Sequence, residues 1–126
     1  MSDPRASVAQ VGRSVLRKEA RAKLTGTAPY VHNLVLPGML YGKIARSRVA
    51  HARIRCIRTE AARALDGVFR VLTADDVRSL IPDPHYGPAF HDQPILAIDK
   101  VRHAGEPIAL VLAADPHVAE AAAQLI

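Results

Sequence analysis

The fold is decided by the stretch KVRHAGEPIALVLA, residues 100–113, which holds the longest apolar run in the second half of the chain. Every residue from 108 to 114 is apolar. In a strand, the side chains of Ile108, Leu110 and Leu112 point to one face, and those of Ala109, Val111 and Ala113 to the other. A strand that is apolar on both faces is typical of the middle of a covered sheet. We therefore predict a central strand at 106–113 that is buried on both faces, with a bend at Gly105-Glu106-Pro107 before it.

Size and composition indicate one globular domain. The chain has 126 residues, of which 49% are hydrophobic and 23% charged, with no Trp. Its 17 basic and 12 acidic residues give a formal net charge of +5. The single Cys56 excludes an internal disulfide and agrees with a reducing compartment. No apolar run approaches the roughly 20 residues that span a bilayer, and no secretory signal is present, so we expect a cytoplasmic domain without membrane contact.

Other elements follow from local patterns along the chain. We expect residues 1–10 to be disordered and the basic, glycine-broken segment 11–26 to form an arm against a neighbour. Strands are predicted at 39–46, 53–56 and 68–72, and a short one at 95–98. Helices are predicted at 60–65 after Thr59, at 73–80 with a Thr73–Asp76 capping box, and from Pro116 after an Asp115 N-cap. Residues 81–94 hold several prolines and are predicted to be a long loop.

The C-terminal helix is expected to bury Val118, Ala122 and Leu125 on one face. The chain stops at Ile126 with neither a cap nor a polar tail. We therefore expect this helix to be truncated, so that the chain is a fragment of a longer protein or a subunit completed by another chain.

The acidic residues, histidines and cysteine that could act in catalysis or bind a metal are better explained by structural roles. Asp75 and Asp76 are expected to cap a helix and to interact with its dipole rather than to act as acid and base. Glu106 could be a buried catalytic acid, or it could pair with Arg102 or cap a turn. His51, His85 and His91 lack the spacing of a metal site. Cys56 alternates with Arg53 and is expected to point inward and to be inert.

The arginines are close together in the sequence, but few aromatic residues accompany them. A nucleic-acid interface usually combines both residue types, so a solvated face or a subunit contact is favoured over nucleic acid. The members of this group are Arg46, Arg48, Arg53, Arg55, Arg58 and Arg63. No phosphate loop, dinucleotide fingerprint or nucleophile motif is present. From the residues alone we predict a small domain of α and β elements without an evident active site.

Four stretches in order resemble a known family. They lie at 11–30 (with VGRSV and AKLTGTAPY), 36–54 (LPGMLYG, RS and AHARI), 65–76 (LDGV and LTADD) and 94–109 (PILA, KVR and GEPIA). The chain resembles the N-terminal α/β-hammerhead domain of the molybdopterin-binding large subunit of the xanthine dehydrogenase and aldehyde oxidase family. It departs from the family pattern at Leu16, His32-Asn33, Arg48 and His103, which affects details of surface and partner.

The resemblance implies an α+β fold of mixed strands and short helices over residues 11–126. It implies a parent oxidoreductase that hydroxylates aldehydes or N-heterocycles, with a molybdenum–pterin cofactor and with iron–sulfur clusters and FAD on partner domains or subunits. The family's pterin-binding and catalytic motifs lie in later domains, so the resemblance assigns no catalytic, cofactor-binding or metal-binding residue here. It makes the Gly105-Glu106-Pro107 bend a family turn, which favours a structural role for Glu106.

The sequence therefore supports two hypotheses for the function. The first is a scaffold or docking domain that contacts the downstream molybdopterin-binding domains and the iron–sulfur and flavin subunits. The alternative is an independent small binding module whose basic face meets an acidic partner or nucleic acid.

Overall fold

The computed structural model describes residues 12–126, so the predicted disorder of residues 1–10 falls outside the described residues. The chain divides into two compact units, Met1–Leu36 and Pro37–Ile126. The described part of the first unit contains one short helix, α1 (Ala20–Leu24), and a 3-10 turn at Val31–Asn33. Helix α1 has no buried residue, and Lys23 pairs with Glu19 at 2.8 Å. The predicted arm therefore contains a single helical turn and has no core of its own among its described residues.

The second unit is an α+β unit built on seven strands and three helices. The strands are β1 (Tyr41–Arg46), β2 (Ala52–Arg53), β3 (Val68–Leu72), β4 (His85–Tyr86), β5 (Gln93–Pro94), β6 (Lys100–Val101) and β7 (Pro107–Ala113). The helices are α2 (Glu60–Arg63), α3 (Ala74–Leu80) and α4 (Pro116–Gln124). Strands β1, β7 and β3 form one antiparallel sheet, whereas β2–β6 and β4–β5 are two-residue ribbons.

Strand β7 is the middle strand of the sheet, as the apolar run predicts. Ile44 of β1 and Leu72 of β3 both lie opposite Leu110, so β7 forms hydrogen-bonded ladders on both edges. Ala109, Val111 and Ala113 are fully buried, but Ile108, Leu110 and Leu112 are only half-buried. The prediction that both faces are buried is therefore wrong for the second face. The physical reason is that α2 and α4 cover only one side of the sheet.

The core is thin because alanine dominates it. Its buried members are Ala45, Ala62, Val71, Ala109, Val111 and Ala122, with Leu65, Val68, Ile108, Ala123 and Ile126 packed around them. Small side chains on β7 and on α4 allow the helix backbone to approach the sheet closely. Helix α4 buries Ala119 and Ala122 completely and Val118 in part, whereas Leu125 is exposed. The predicted Val118–Ala122–Leu125 face is therefore wrong at Leu125.

The starts of α3 and α4 follow the predicted chemistry. The Asp115 carboxylate accepts hydrogen bonds from the backbone N–H groups of His117 and Val118, and Pro116 occupies the first helical position. At α3, the Asp76 carboxylate accepts from the backbone N–H of Thr73 at 2.8 Å and from its hydroxyl at 3.0 Å. The Thr73–Asp76 capping box is therefore confirmed.

Other predicted elements differ from the structure in their boundaries or their type. Helix α2 ends at Arg63 rather than at residue 65, and the Thr59 side chain makes no cap hydrogen bond. Strand β1 begins at Tyr41, and β2 stops at Arg53 because its partner β6 offers only two residues. Residues 95–98 do not form a strand: the Ile95 N–H donates to the Pro84 carbonyl and the Ala97 N–H to the Pro107 carbonyl, which are isolated bonds and not a ladder. The predicted loop 81–94 contains the β4–β5 ribbon.

The close contact between α4 and the sheet can be tested by enlarging one alanine. Replacing Ala122→Leu adds three carbons where no space exists, and overpacking of this kind lowers the free energy of unfolding by about 1–3 kcal/mol. Urea denaturation measures the loss. The matched control is Ala121→Leu, because Ala121 is the neighbouring alanine of the same helix and is exposed. Equal stability of the two variants would contradict the packing described here.

The capping box predicts a pH-dependent stability. Hydrogen bonds from the Thr73 backbone N–H and hydroxyl, with the nearby positive charges of Arg63 and Arg70, hold the pKa of Asp76 below its ordinary value. A lowered pKa means that the stabilisation is present above the pKa of the unfolded state and is lost as the pH falls through the folded-state value. At neutral pH, Asp76→Asn lowers the free energy of unfolding by about 0.5–2 kcal/mol.

The difference between wild type and Asp76→Asn should narrow below about pH 4, where the carboxylate begins to be protonated. Urea denaturation between about pH 2.5 and pH 7 measures this difference in the free energy of unfolding, because the interval includes the ordinary pKa of an aspartate. Asp75→Asn is the control, because Asp75 is exposed and only approaches Arg78 at 3.6 Å. A pH-independent difference for Asp76→Asn would contradict the role of the charged carboxylate.

Candidate functional site

Asp75 and Asp76 are adjacent in sequence but face different partners. Asp76 caps α3 and lies 3.9 Å from the Arg63 guanidinium, whose Nη2 also donates to the Val71 carbonyl at 3.2 Å. Asp75 is exposed and interacts with Arg78. The two carboxylates do not converge on a common point, so the pair has the geometry of a helix start rather than of an acid and base.

Glu106 is the one buried acid among the described residues, with 5% of its surface exposed. Its carboxylate accepts a hydrogen bond from the Arg102 backbone N–H and another, at 3.2 Å, from Arg102 Nη1. Its backbone carbonyl accepts from the Ser47 N–H at 2.9 Å. Of the three predicted interpretations, the structure has the ion pair with Arg102, which closes the turn that leads into β7.

Two histidines meet at one carboxylate, which sequence spacing alone did not indicate. His85 Nδ1 lies 3.0 Å from one oxygen of Asp83, and His91 Nδ1 lies 3.2 Å from the other. The hydrogen bonds from the backbone and side chain of His85 lower the pKa of Asp83. His91 reaches this position with φ +53°, a left-handed conformation. The loop 81–94 is thus closed by a shared carboxylate at the surface.

Cys56 is exposed, so the prediction that it points inward is wrong. The prediction extended the strand alternation of Arg53 and Ile54 to residue 56. Strand β2 ends at Arg53, and the Ile54 N–H donates instead to the Asp99 carbonyl at 2.9 Å. Beyond that bond the two-residue alternation has no ladder to maintain it.

Five of the six predicted arginines gather around one groove. Arg46, Arg48, Arg53, Arg55 and Arg58 line two adjoining openings, whereas Arg63 lies apart against Val71 and Asp76. Sequence reasoning missed the apolar side chains between them, notably Ile108 and Ile126, which reach this groove from distant parts of the chain. In the sequence, the two isoleucines are recognisable only as apolar residues, and apolar residues are equally typical of a buried core.

The segment 12–36 exposes large apolar side chains. Leu16 is 90% exposed, Leu24 89% and Val31 91%. Val15, Leu34, Val35 and Leu36 are also more than half exposed. Seven large apolar side chains exposed within 25 residues are typical of a surface that another polypeptide covers.

The donor set does not suit the inorganic groups that the resemblance implies. Within residues 12–126 no three His, Cys, Asp or Glu side chains are grouped so that they could hold a metal ion. An iron–sulfur cluster requires several cysteine ligands, and the whole chain has one. In the same range no helix is long and apolar enough to cross a bilayer. No chemical step is therefore assigned to residues of this chain.

Comparison with known proteins gives a consistent result. The family described as "Aldehyde oxidase and xanthine dehydrogenase, a/b hammerhead domain" matches residues 25–126. The chain is 40% identical to the 6-hydroxypseudooxynicotine dehydrogenase complex subunit gamma of Paenarthrobacter nicotinovorans, over 94% of this chain and 16% of that protein. It is 42% identical to a probable xanthine dehydrogenase subunit from Bacillus subtilis, over 90% of this chain and 15% of that protein.

A solved structure agrees with these matches. The Cu,Mo-CO dehydrogenase superposes with a TM-score of 0.80 at 42% identity, over 90% of this chain and 14% of that chain. The chain thus spans about one-sixth of the curated relatives that it matches. The family expected from the four sequence stretches is confirmed, and so is the α+β hammerhead fold. This chain belongs to the aldehyde oxidase and xanthine dehydrogenase family and carries its a/b hammerhead domain.

Proposed function

We propose that this domain is a docking scaffold of a molybdenum hydroxylase, and that the active site is built by other parts of that enzyme. The observation that carries the proposal is the exposed apolar surface of residues 12–36, with Leu16, Leu24 and Val31 nearly fully exposed. Burying one such side chain in an interface contributes about 1.5–3 kcal/mol. The segment is basic as well as apolar, which suits a neighbour that offers apolar pockets rimmed by carboxylates.

The size of the relatives supports the same proposal. Because the chain spans only 15–16% of the matched subunits, most of each relative consists of sequence that this chain does not represent. Among residues 12–126 no group of side chains suits a metal ion, which favours ligands contributed by that other sequence or by partner subunits. Molybdenum–pterin, iron–sulfur clusters and FAD are thus proposed for the parent enzyme, and an aldehyde or an N-heterocycle as its substrate class.

The independent binding module is the weaker candidate. Its support was the group of arginines, but charge alone says little about fold or partner. The family match covers residues 25–126 and includes that group, so the basic face is accounted for within an enzyme domain.

The arm can be tested by placing charges on its apolar side chains. The chain is produced together with the pterin-binding polypeptide of its complex, as wild type and as the double variant Leu16→Glu/Leu24→Glu. Two lost apolar contacts lower the affinity by at least about tenfold. In the double variant, three quantities should fall together. They are the yield of co-purified complex, its molybdenum content by elemental analysis, and its dye-linked oxidation of an aldehyde or N-heterocycle.

Ala121→Glu is the control, because it also adds a carboxylate at an exposed apolar residue but lies on α4 in the second unit. Two outcomes would overturn the proposal. One is dye-linked turnover by the 126-residue chain alone. The other is a complex with full molybdenum content and activity after residues 12–36 are deleted.

A further inference from the structure

A groove in the second unit lies between the end of β1 and the segment that follows β2. It encloses about 320 Å³ and adjoins a second opening of about 350 Å³ with which it shares Cys56, Ile57, Ile108 and Ile126. The two openings together form one continuous surface, here called the arginine groove. None of its lining residues belongs to the exposed apolar segment 12–36.

Isoleucines form the floor of the arginine groove. Ile54, Ile57, Ile108 and Ile126 are half-buried, and Val101 beside them is buried. Each isoleucine therefore still presents apolar surface to water. An apolar side chain that covered this floor would gain about 25 cal/mol for each Å² removed from water.

Arginines form the rim. Arg46, Arg48, Arg53, Arg55 and Arg58 are exposed, and no Asp or Glu among the described residues lines either opening. Within residues 12–126 none of the five forms an ion pair, whereas Arg63, Arg78 and Arg102 each do. Five like charges around one groove repel each other, and carboxylates placed between them would relieve that repulsion.

Both walls of the groove are fixed by backbone hydrogen bonds. On one side, the Ser47 N–H donates to the Glu106 carbonyl at 2.9 Å, and the Gly105 N–H donates to the Ser47 carbonyl at 2.8 Å. Arg46 Nη1 donates to the Gly105 carbonyl at 2.8 Å on the same side. On the other side, β2 pairs with β6 and Ile54 is bonded to Asp99. A preformed groove orders few groups on binding and so loses little affinity to entropy.

We propose that the arginine groove binds an acidic polypeptide segment whose carboxylates pair with the arginines and whose apolar side chain covers the isoleucine floor. The segment is contributed by another part of the molybdenum enzyme, so this assignment rests on the proposed function. Single-stranded nucleic acid fits the groove less well, because its bases need aromatic side chains to stack on, and no aromatic residue among the described ones lines either opening.

Site-specific photo-crosslinking in the assembled enzyme tests the proposal. Val49 lines the groove and is 51% exposed, so Val49→p-benzoylphenylalanine places the reactive group at the rim. The matched probe position is Leu80 on α3, which is similarly exposed and does not line the groove. After irradiation, mass spectrometry of the digested protein identifies the segment attached to each position.

The expected product at position 49 is a segment with at least two Asp or Glu residues and a neighbouring apolar residue, and it should be absent from position 80. Arg53→Glu/Arg55→Glu should lower its yield by about tenfold or more, because close charge pairs at interfaces couple strongly. Arg78→Glu, on α3, should leave the yield unchanged. Attachment to a neutral or basic segment, to nucleic acid, or to no polymer would overturn the proposal.

The proposed function and the groove fail in distinguishable ways. If the chain assembles with no molybdenum-containing polypeptide but crosslinks an acidic segment of another protein, the docking role in this enzyme fails and the chemistry of the groove stands. If the assembled enzyme retains molybdenum and dye-linked activity but position 49 captures no acidic segment, the groove assignment alone fails.

Discussion

Strand β7 is the constraint on which the second unit depends. It is hydrogen-bonded to β1 on one edge and to β3 on the other, so removing it would leave both of those strands without a partner in their sheet. Its covered face consists of Ala109, Val111 and Ala113, which are fully buried. Small side chains there determine how near α4 can come, and Ala119 and Ala122 are the small residues that the helix places against them. A thin, alanine-rich contact of this kind depends on shape more than on apolar area.

The turn before β7 connects that core to the rest of the unit. Glu106 is buried, yet Arg102 satisfies its carboxylate and Ser47 satisfies its backbone carbonyl. Breaking a buried ion pair is strongly destabilising because it leaves an uncompensated charge. The same turn also fixes the loop after β1, which forms one wall of the arginine groove. The Glu106 carboxylate thus stabilises the turn, and backbone hydrogen bonds from the same turn hold the loop after β1.

The two candidate surfaces differ in chemistry. Residues 12–36 present large aliphatic side chains with little secondary structure around them, whereas the arginine groove is held by backbone hydrogen bonds and carries charge above an apolar floor. Apolar contacts contribute affinity, and oriented charges contribute register and selectivity. A domain that has both is suited to hold a larger enzyme in one arrangement, which is the proposed role here.

Local sequence patterns predicted an element correctly where residues close in sequence make the interaction that defines it. The Thr73–Asp76 capping box and the Asp115-Pro116 helix start were predictable, because each depends on residues within a few positions of each other. The bounds of the strand at 68–72 were also predicted correctly, although its ladder partner is the distant β7. The four sequence stretches were likewise sufficient to indicate the family. Wrong boundaries arose where a distant partner sets the limit: β2 ends because β6 is short, and residues 95–98 bond singly to Pro84 and Pro107.

By itself the sequence determined the central strand, the caps of α3 and α4, and the family. Periodicity, capping chemistry and motif order are properties of residues that are near each other in the sequence. Only the tertiary structure decided which face of β7 is covered, that Cys56 is exposed, and that Ile108 and Ile126 meet five arginines in one groove. These outcomes depend on where helices and loops pack in space. An apolar residue has the same sequence signal whether it fills a core or lines a surface that a partner covers.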